Sequence, residues 1–228
     1  MKVGIVSYEK ELILPILKEK GFVIDNRNPD IVIALGGDGT FLYAEEKYPL
    51  KPKVFIYHSH TCESCSINKF SPIIEKLDKL KMTDLTRLEA FIGKKRILAI
   101  NDINIHYDPP RALRFNVKVN GHLVAENVIG DGVVISTPFG SDAYFRSITR
   151  RNFKKGIGIA FNNPTRKMNP IIVPENKEIR IEILRENGVV AHDTSGDVIK
   201  IKKGDAITVR RCDGCAKAVI FKKGGFLK

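Results

Sequence analysis

Ile31-Val32-Ile33-Ala34-Leu35 runs directly into Gly36-Gly37-Asp38-Gly39-Thr40. Five apolar residues, the first three β-branched, read as a strand buried on both faces, the pattern of a parallel sheet. Two glycines end the strand, where a side chain would block a tight turn or a closely approaching ligand. One carboxylate, Asp38, then stands at the turn, with Gly39 behind it and Thr40 suited to cap a helix over about Thr40–Lys47. Ligands of open α/β sheets bind beyond the carboxyl ends of the strands. Backbone N–H groups at a glycine-rich turn before a helix also favour phosphate. The plainer reading is a structural turn in which Asp38 is only a turn-former.

The flanking sequence alternates in the same style. Lys2–Ser7 reads as a strand, with Ser7 capping a helix over Tyr8–Lys20 that Pro15 kinks or delays and Gly21 ends. Phe22–Ile24 is a short strand, Asp25–Asp30 a polar turn, Lys53–Tyr57 a strand, and Ser71–Leu80 a helix capped by Ser71 with Pro72 in its first turn. Such β-α-β alternation predicts a small parallel sheet with helices packed on it. From about residue 83 the character is β. Leu85–Ile92 and Arg96–Ile105 read as strands across Gly93-Lys94-Lys95, and Phe115–Val119 pairs with Leu123–Ile129 across Asn120-Gly121, a hairpin signal. Further strands are expected at Val133–Ser136, Gly156–Phe161, Ile171–Val173, Glu178–Leu184, Val189–Ala191, Val198–Ile201, Ala206–Arg210 and Ala218–Phe221. The expected organisation is an α/β domain over 1–82, a β-rich domain over 83–211 and a C-terminal segment over 212–228.

A second stretch narrows the reading. Gly130-Asp131-Gly132 leads into Ser136-Thr137-Pro138-Phe139-Gly140-Ser141-Asp142-Ala143-Tyr144. Gly36–Thr40 resembles the GGDGT signature shared by the NAD kinase and diacylglycerol/sphingosine kinase superfamily. The second stretch resembles the NAD kinase string GDG…STPTGSTAY, which the lipid kinases lack. The chain therefore resembles the NAD kinase family, as a divergent member. That resemblance implies an NAD kinase/diacylglycerol kinase-like fold: an α/β N-terminal domain with a small parallel sheet plus a mostly β C-terminal domain, the chain's end returning to the first. It implies a kinase that transfers a phosphoryl group from ATP, another nucleoside triphosphate or polyphosphate to the 2′-hydroxyl of NAD, giving NADP with Mg²⁺, and a homo-oligomer, dimer or tetramer.

Residue by residue, the resemblance makes Asp38 the catalytic group that activates or orients the ribose hydroxyl. Gly36, Gly37, Gly39 and Thr40 would shape the loop and contact phosphate. Asn101-Asp102 stands where the family carries Asn-Glu and would contact the nucleotide through an amide and a sugar-hydroxyl acceptor. Asp131 would serve nicotinamide-side or metal contacts. Ser136, Thr137, Ser141, Asp142, Ala143, Tyr144 and Ser147 would form the nucleotide pocket, small residues admitting adenine and Tyr144 stacking on a ring. Departures exist. Phe139 replaces a small or hydroxyl residue, Asp142 a threonine, and Arg150-Arg151 a glycine pair. The family's GIN-x-G-x-LGF segment is replaced after Tyr57 by His58-Ser59-His60-Thr61-Cys62-Glu63-Ser64-Cys65. These departures keep two alternatives open: a superfamily kinase retuned to a nucleoside, sugar or polyol hydroxyl, and a non-catalytic, zinc-stabilised nucleotide sensor.

Composition bounds the partners. The chain has 228 residues, 43% of them hydrophobic, and carries 38 Lys+Arg against 26 Asp+Glu, a net charge of +12. A basic surface attracts polyanions, but the lysines are scattered and no aromatic ladder accompanies them, so nothing selects nucleic acid. No apolar run reaches the ~18–20 residues needed to span a bilayer, and no signal peptide is evident; a soluble, cytoplasmic protein is expected.

The four cysteines form two pairs, Cys62-x-x-Cys65 and Cys212-x-x-Cys215. Paired thiolates at this spacing suit one structural Zn²⁺, if the fold unites them. Two local redox pairs, disulfides or buried thiols fit the spacing as well. His58 and His60 are either further ligands or solvated.

Overall fold

The apolar run before Gly36 occupies the middle of a parallel sheet. The computed structural model describes residues 1–58, 70–108, 111–193, 196–222 and 225–226. Two units are distinct, Met1–Leu85 with Cys215–Lys228, and Thr86–Gly214. Their limits lie three residues beyond those read from the sequence.

In the first unit the elements are β1 (Lys2–Val6), α1 (Leu14–Glu19), β2 (Val23–Ile24), β3 (Ile31–Gly36), α2 (Asp38–Lys47), β4 (Lys53–Tyr57), α3 (Ser71–Ile74) and β5 (Thr83–Leu85). β1 pairs in parallel with β2 and β3, and β3 with β4. Ile13, Leu17, Phe70 and Ile74 cover one face of the sheet with Val3, Ile33, Leu35, Val54 and Ile56. On the other face Phe41 of α2 stacks on Phe55, ring centroids 5.0 Å apart. Both faces are covered, as a parallel sheet requires.

One local expectation is met and two are corrected. Pro15 delays the first helix until Leu14, behind a 3₁₀ turn at Lys10–Leu12. Ser7 does not cap it, because its hydroxyl accepts the Glu9 N–H at 2.9 Å in a local turn. The helix expected over Ser71–Leu80 stops at Ile74, and Ser71 lies inside it with its hydroxyl turned to Glu75.

The second unit contains β6 (Leu88–Ile92), β7 (Lys95–Ala99), β8 (Asp102–Tyr107), β9 (Leu113–Val119), β10 (His122–Gly130), β11 (Gly132–Ser136), α4 (Tyr144–Thr149), β12 (Ile157–Asn162), β13 (Ile171–Val173), β14 (Ile179–Arg185), β15 (Gly188–His192), β16 (Ile199–Ile201) and β17 (Ala206–Arg211). They form two antiparallel six-stranded sheets, ordered β10-β9-β14-β17-β6-β7 and β13-β12-β11-β8-β15-β16. Alternate residues of each point into one shared core, Phe115, Ile181 and Ile207 from the first and Ile103, Ile135 and Ile159 from the second. Asn120 and Gly121 take φ of 47° and 80°, the left-handed pair of a two-residue hairpin. The expected strand Arg96–Ile105 is broken at Ile100-Asn101 for a reason given below. The chain then forms β18 (Ala216–Lys222), parallel to β4, and β19 (Gly225–Phe226), both in the sheet of the first unit.

Candidate active site

In the first unit the strand order β4-β3-β1-β2 reverses direction between β1 and β3, the place where ligands bind in open α/β sheets. The turn after β3 lies there. Gly36 has φ 152°, and a Cβ on it would fall 2.4 Å from Thr40 Oγ1. The Gly37 carbonyl accepts the N–H groups of Thr40 at 3.0 Å and Phe41 at 3.3 Å. The helix therefore starts at Asp38 with Gly37 as its cap, rather than at Thr40, because an extended glycine can supply the capping carbonyl. Thr40 packs beneath Gly36. Asp38 and Gly39 are exposed. The Asp38 carboxylate lies in the first turn of α2, where the helix dipole favours negative charge.

In the second unit the loop after β11 is locked onto the break between β7 and β8. Thr137 donates its N–H to Asn101 O at 2.9 Å and its hydroxyl to Ile100 O at 2.5 Å. It accepts the Gly140 N–H at 3.0 Å. A Cβ on Gly140 would lie 2.1 Å from Asn101 O, so only glycine fits there. Ser136 Oγ is bonded to Thr137 O at 3.1 Å, and Ser141 Oγ lies 2.7 Å from Pro138 O and accepts the Phe153 N–H. Ser136, Thr137 and Ser141 are fully buried, and their hydroxyls build the loop.

The break itself is held by a residue that sequence reasoning passed over. Asp193 Oδ1 accepts the N–H of Asn101 at 2.8 Å and of Asp102 at 3.3 Å, and its Oδ2 accepts that of Ile100 at 2.9 Å. Thr194 and Ser195, which follow it, lie outside the described residues. Asp102 is buried, and burial together with the charge of Asp193 pushes its carboxyl up to about 7. Burial also raises Asp193, against the lowering effect of its three N–H donors.

α4 docks on the outer face of the second sheet through Phe145, which packs with Val134, Ala160 and Phe153. This carries Tyr144 to Asn162, whose amide donates to the phenol at 2.9 Å. Burial raises the Tyr144 pKa, and the charges of Asp102 and Asp131 add to that. Asp131 accepts the Asn163 amide at 3.2 Å. Asp102, Asp131 and Tyr144 thus belong to one electrostatic neighbourhood. Beside it, Asp142, Ala143, Arg146, Ser147 and Arg150 line an open concavity of about 480 Å³. Asp142 is held by Asn152 at 2.7 Å and faces Arg146 at 3.8 Å.

Cys62, Cys65 and His60 lie outside the described residues. Cys212 is buried, with Arg96 Nη2 3.6 Å from its sulfur, and Cys215 is partly buried. Among the described residues no group of three or more His, Cys, Asp or Glu is arranged to hold a metal ion. Among them, too, no helix is long and apolar enough to cross a membrane.

Residues 100–221 match the family model described as the ATP-NAD kinase C-terminal domain. The chain is 31% identical to the NAD kinase of Saccharolobus solfataricus, covering 98% of this chain and 95% of that one. It is 30% identical to the NAD kinase of Saccharolobus islandicus, covering 93% and 88%. Two solved structures share the fold. An NAD kinase from Archaeoglobus fulgidus in complex with ATP superposes with a TM-score of 0.81 at 20% identity, over 98% of this chain and 94% of that one. Yeast NADH kinase complexed with NADH gives 0.82 at 19%, over 98% and 84%.

Proposed function

The chain belongs to the NAD kinase family, and from that premise we propose that it phosphorylates the 2′-hydroxyl of the adenosine ribose of NAD to give NADP. The observation that carries this is Asp38, an exposed carboxylate on a glycine turn at the start of α2. Phosphoryl transfer asks for little covalent chemistry from the protein; it needs positioning, a group to take or orient the hydroxyl proton, and donors for the phosphates. In this reading Asp38 accepts the proton of the 2′-hydroxyl as its oxygen attacks the terminal phosphorus. The bond to the leaving phosphate breaks, and the electron pair departs with the donor product, ADP when ATP is the donor. The N–H groups of Asp38 and Gly39, in the first turn of α2, would meet phosphate oxygens. Asn101 and Asp102 would read the nucleoside, with Ala143, Tyr144 and Ser147 against its rings.

Magnesium would neutralise charge on the transferring phosphate. Such an ion would be held mainly by donor phosphates and water. A retuned acceptor site is less well supported: of the departures that motivate it, Phe139, Asp142 and the replaced segment after Tyr57, the Asp142 carboxylate already accepts from Asn152 at 2.7 Å and lies 3.8 Å from Arg146 of α4. ATP or polyphosphate as donor, a cytoplasmic location and a homo-oligomer are carried on the family relation alone. A structural zinc at Cys62, Cys65, Cys212 and Cys215 rests only on their paired spacing.

The test is NADP formation from NAD and Mg²⁺, with ATP and polyphosphate supplied separately. Turnover that Asp38→Ala abolishes is expected, and the productive donor names itself. A folded wild-type protein that turns over neither mixture overturns the proposal.

A further inference from the structure

β4 and β1 flank β3, so the residues just past their carboxyl ends straddle the turn that carries Asp38. His58 directly follows β4, and Glu9 follows β1. His58 Nε2 lies 2.9 Å from Glu9 Oε2. The N–H of the same histidine donates to Gly36 O at 3.0 Å, gripping the first residue of the turn. Each end of this connection is itself anchored. The imidazole packs edge-on against the buried Phe70, centroids 5.9 Å apart at 84°, and the Glu9 N–H is fixed by Ser7 Oγ at 2.9 Å.

We propose that Glu9 and His58 form a strap across the carboxyl end of β3 that fixes Gly36-Gly37 and so positions Asp38. Paired glycines are the softest backbone a chain can offer. A catalytic carboxylate must nevertheless be held to within about half an ångström of its working geometry. A Cβ on Gly37 would meet no atom within 4 Å, so side-chain packing does not steady that side of the turn. The strap supplies a lateral restraint at Gly36 instead. His58 opens the segment in which this sequence departs from the family pattern, so the device belongs to this chain's own residues. Its catalytic consequence rests on the kinase reading; its mechanical consequence does not.

The experiment uses the full chain with Glu9→Ala and His58→Gln. Glu9 is a partly exposed loop residue, so its truncation leaves the core intact, and the glutamine amide can reach the oxygen that the imidazole N–H reaches. Glu9→Ala is expected to lower kcat about 10- to 100-fold, as a small misplacement of a reacting group does, with KM for NAD and for donor within about twofold. His58→Gln should retain most of the activity, because its amide restores the side-chain hydrogen bond to Glu9 that the imidazole makes. Independently of turnover, Glu9→Ala should speed amide hydrogen exchange across Gly37–Thr40 by about tenfold or more, relative to the rest of the first unit. Unchanged kcat in an active background overturns the positioning role, and unchanged exchange overturns the strap. A wild type inert toward NAD, combined with exchange that does accelerate, leaves the strap standing and removes the kinase reading.

Discussion

Asp193 accepts the backbone N–H of Asn101 at 2.8 Å, and the same carboxylate holds Ile100 at 2.9 Å. One side chain at the end of β15 thereby satisfies the donors freed where β7 gives way to β8. The break presents Asn101 and Asp102 at the sheet's end, and Thr137 seals it from the other side. Asp193→Ala leaves these N–H groups partly buried without an acceptor. The expected cost is about 2–4 kcal/mol, a charged hydrogen-bond acceptor being lost to several donors at once. Denaturant midpoints measure it. Asp193→Asn, which keeps one acceptor oxygen, should lose about half as much. In the surviving folded protein KM for NAD should rise.

Asp102 makes stability depend on pH in an unusual direction. Its folded carboxyl titrates at about 7, against an ordinary value of 3.8. Between those values the folded protein holds a proton that the unfolded chain has released, so this group's contribution to stability falls as pH rises and levels off above about 7. Asp102→Asn removes that loss. The variant should gain on the wild type from pH 4.5 to pH 8 by on the order of 3–4 kcal/mol, read from urea midpoints of both proteins at several pH values. A difference that stays flat across the range would show that Asp102 ionises normally.

The two glycines before Asp38 should respond oppositely to alanine. Gly36 sits at φ 152°, and its added methyl would meet Thr40 Oγ1 at 2.4 Å. Gly36→Ala should cost about 1–3 kcal/mol from backbone strain alone, with turnover lost through the displaced turn. Gly37 has φ −84°, and the space where its Cβ would go is open. Gly37→Ala should therefore melt at nearly the wild-type temperature. If it loses turnover while doing so, a substrate occupies that space; if it keeps full turnover, none approaches there.

Sequence legibility followed the range of the interactions. β3 was readable because a buried parallel strand is apolar throughout, and the Asn120-Gly121 hairpin because two left-handed residues need those types. The turn holding Asp38 was readable from glycines adjacent to it. Asp193 was not, since the partners it bonds lie about ninety positions earlier and an Asp in a polar stretch looks like any turn-former. The serine and threonine hydroxyls of Ser136–Ser141 were legible as a motif but not as loop braces, because only the fold shows that backbone carbonyls surround them. The break at Ile100-Asn101 was absorbed into one expected strand, Arg96–Ile105, because the Asp193 carboxylate that holds it lies far along the chain.

Lys53 is the clearest case of a residue whose environment reverses its ordinary meaning. A lysine at a strand's first position suggests a solvated end, yet this one is fully buried. Its ammonium meets Glu45 Oε2 at 2.5 Å and donates to Tyr48 O at 2.7 Å and Lys51 O at 2.8 Å. Glu45 in turn accepts the Leu50 N–H at 3.3 Å. The pair thus ties the carboxyl end of α2 and the loop after it to the start of β4, steadying the helix whose other end carries Asp38. Glu45→Ala strands a buried ammonium and should destabilise the fold by about 3–5 kcal/mol. Replacing both partners with apolar residues of similar volume, Glu45→Leu with Lys53→Met, removes the unpaired charge but leaves the Tyr48 and Lys51 carbonyls without their donor. The double variant should recover more than half of the single variant's loss. Denaturant unfolding of the three proteins decides this, and a double variant no more stable than Glu45→Ala would mean that Lys53 acts mainly by holding the loop carbonyls rather than by pairing with Glu45.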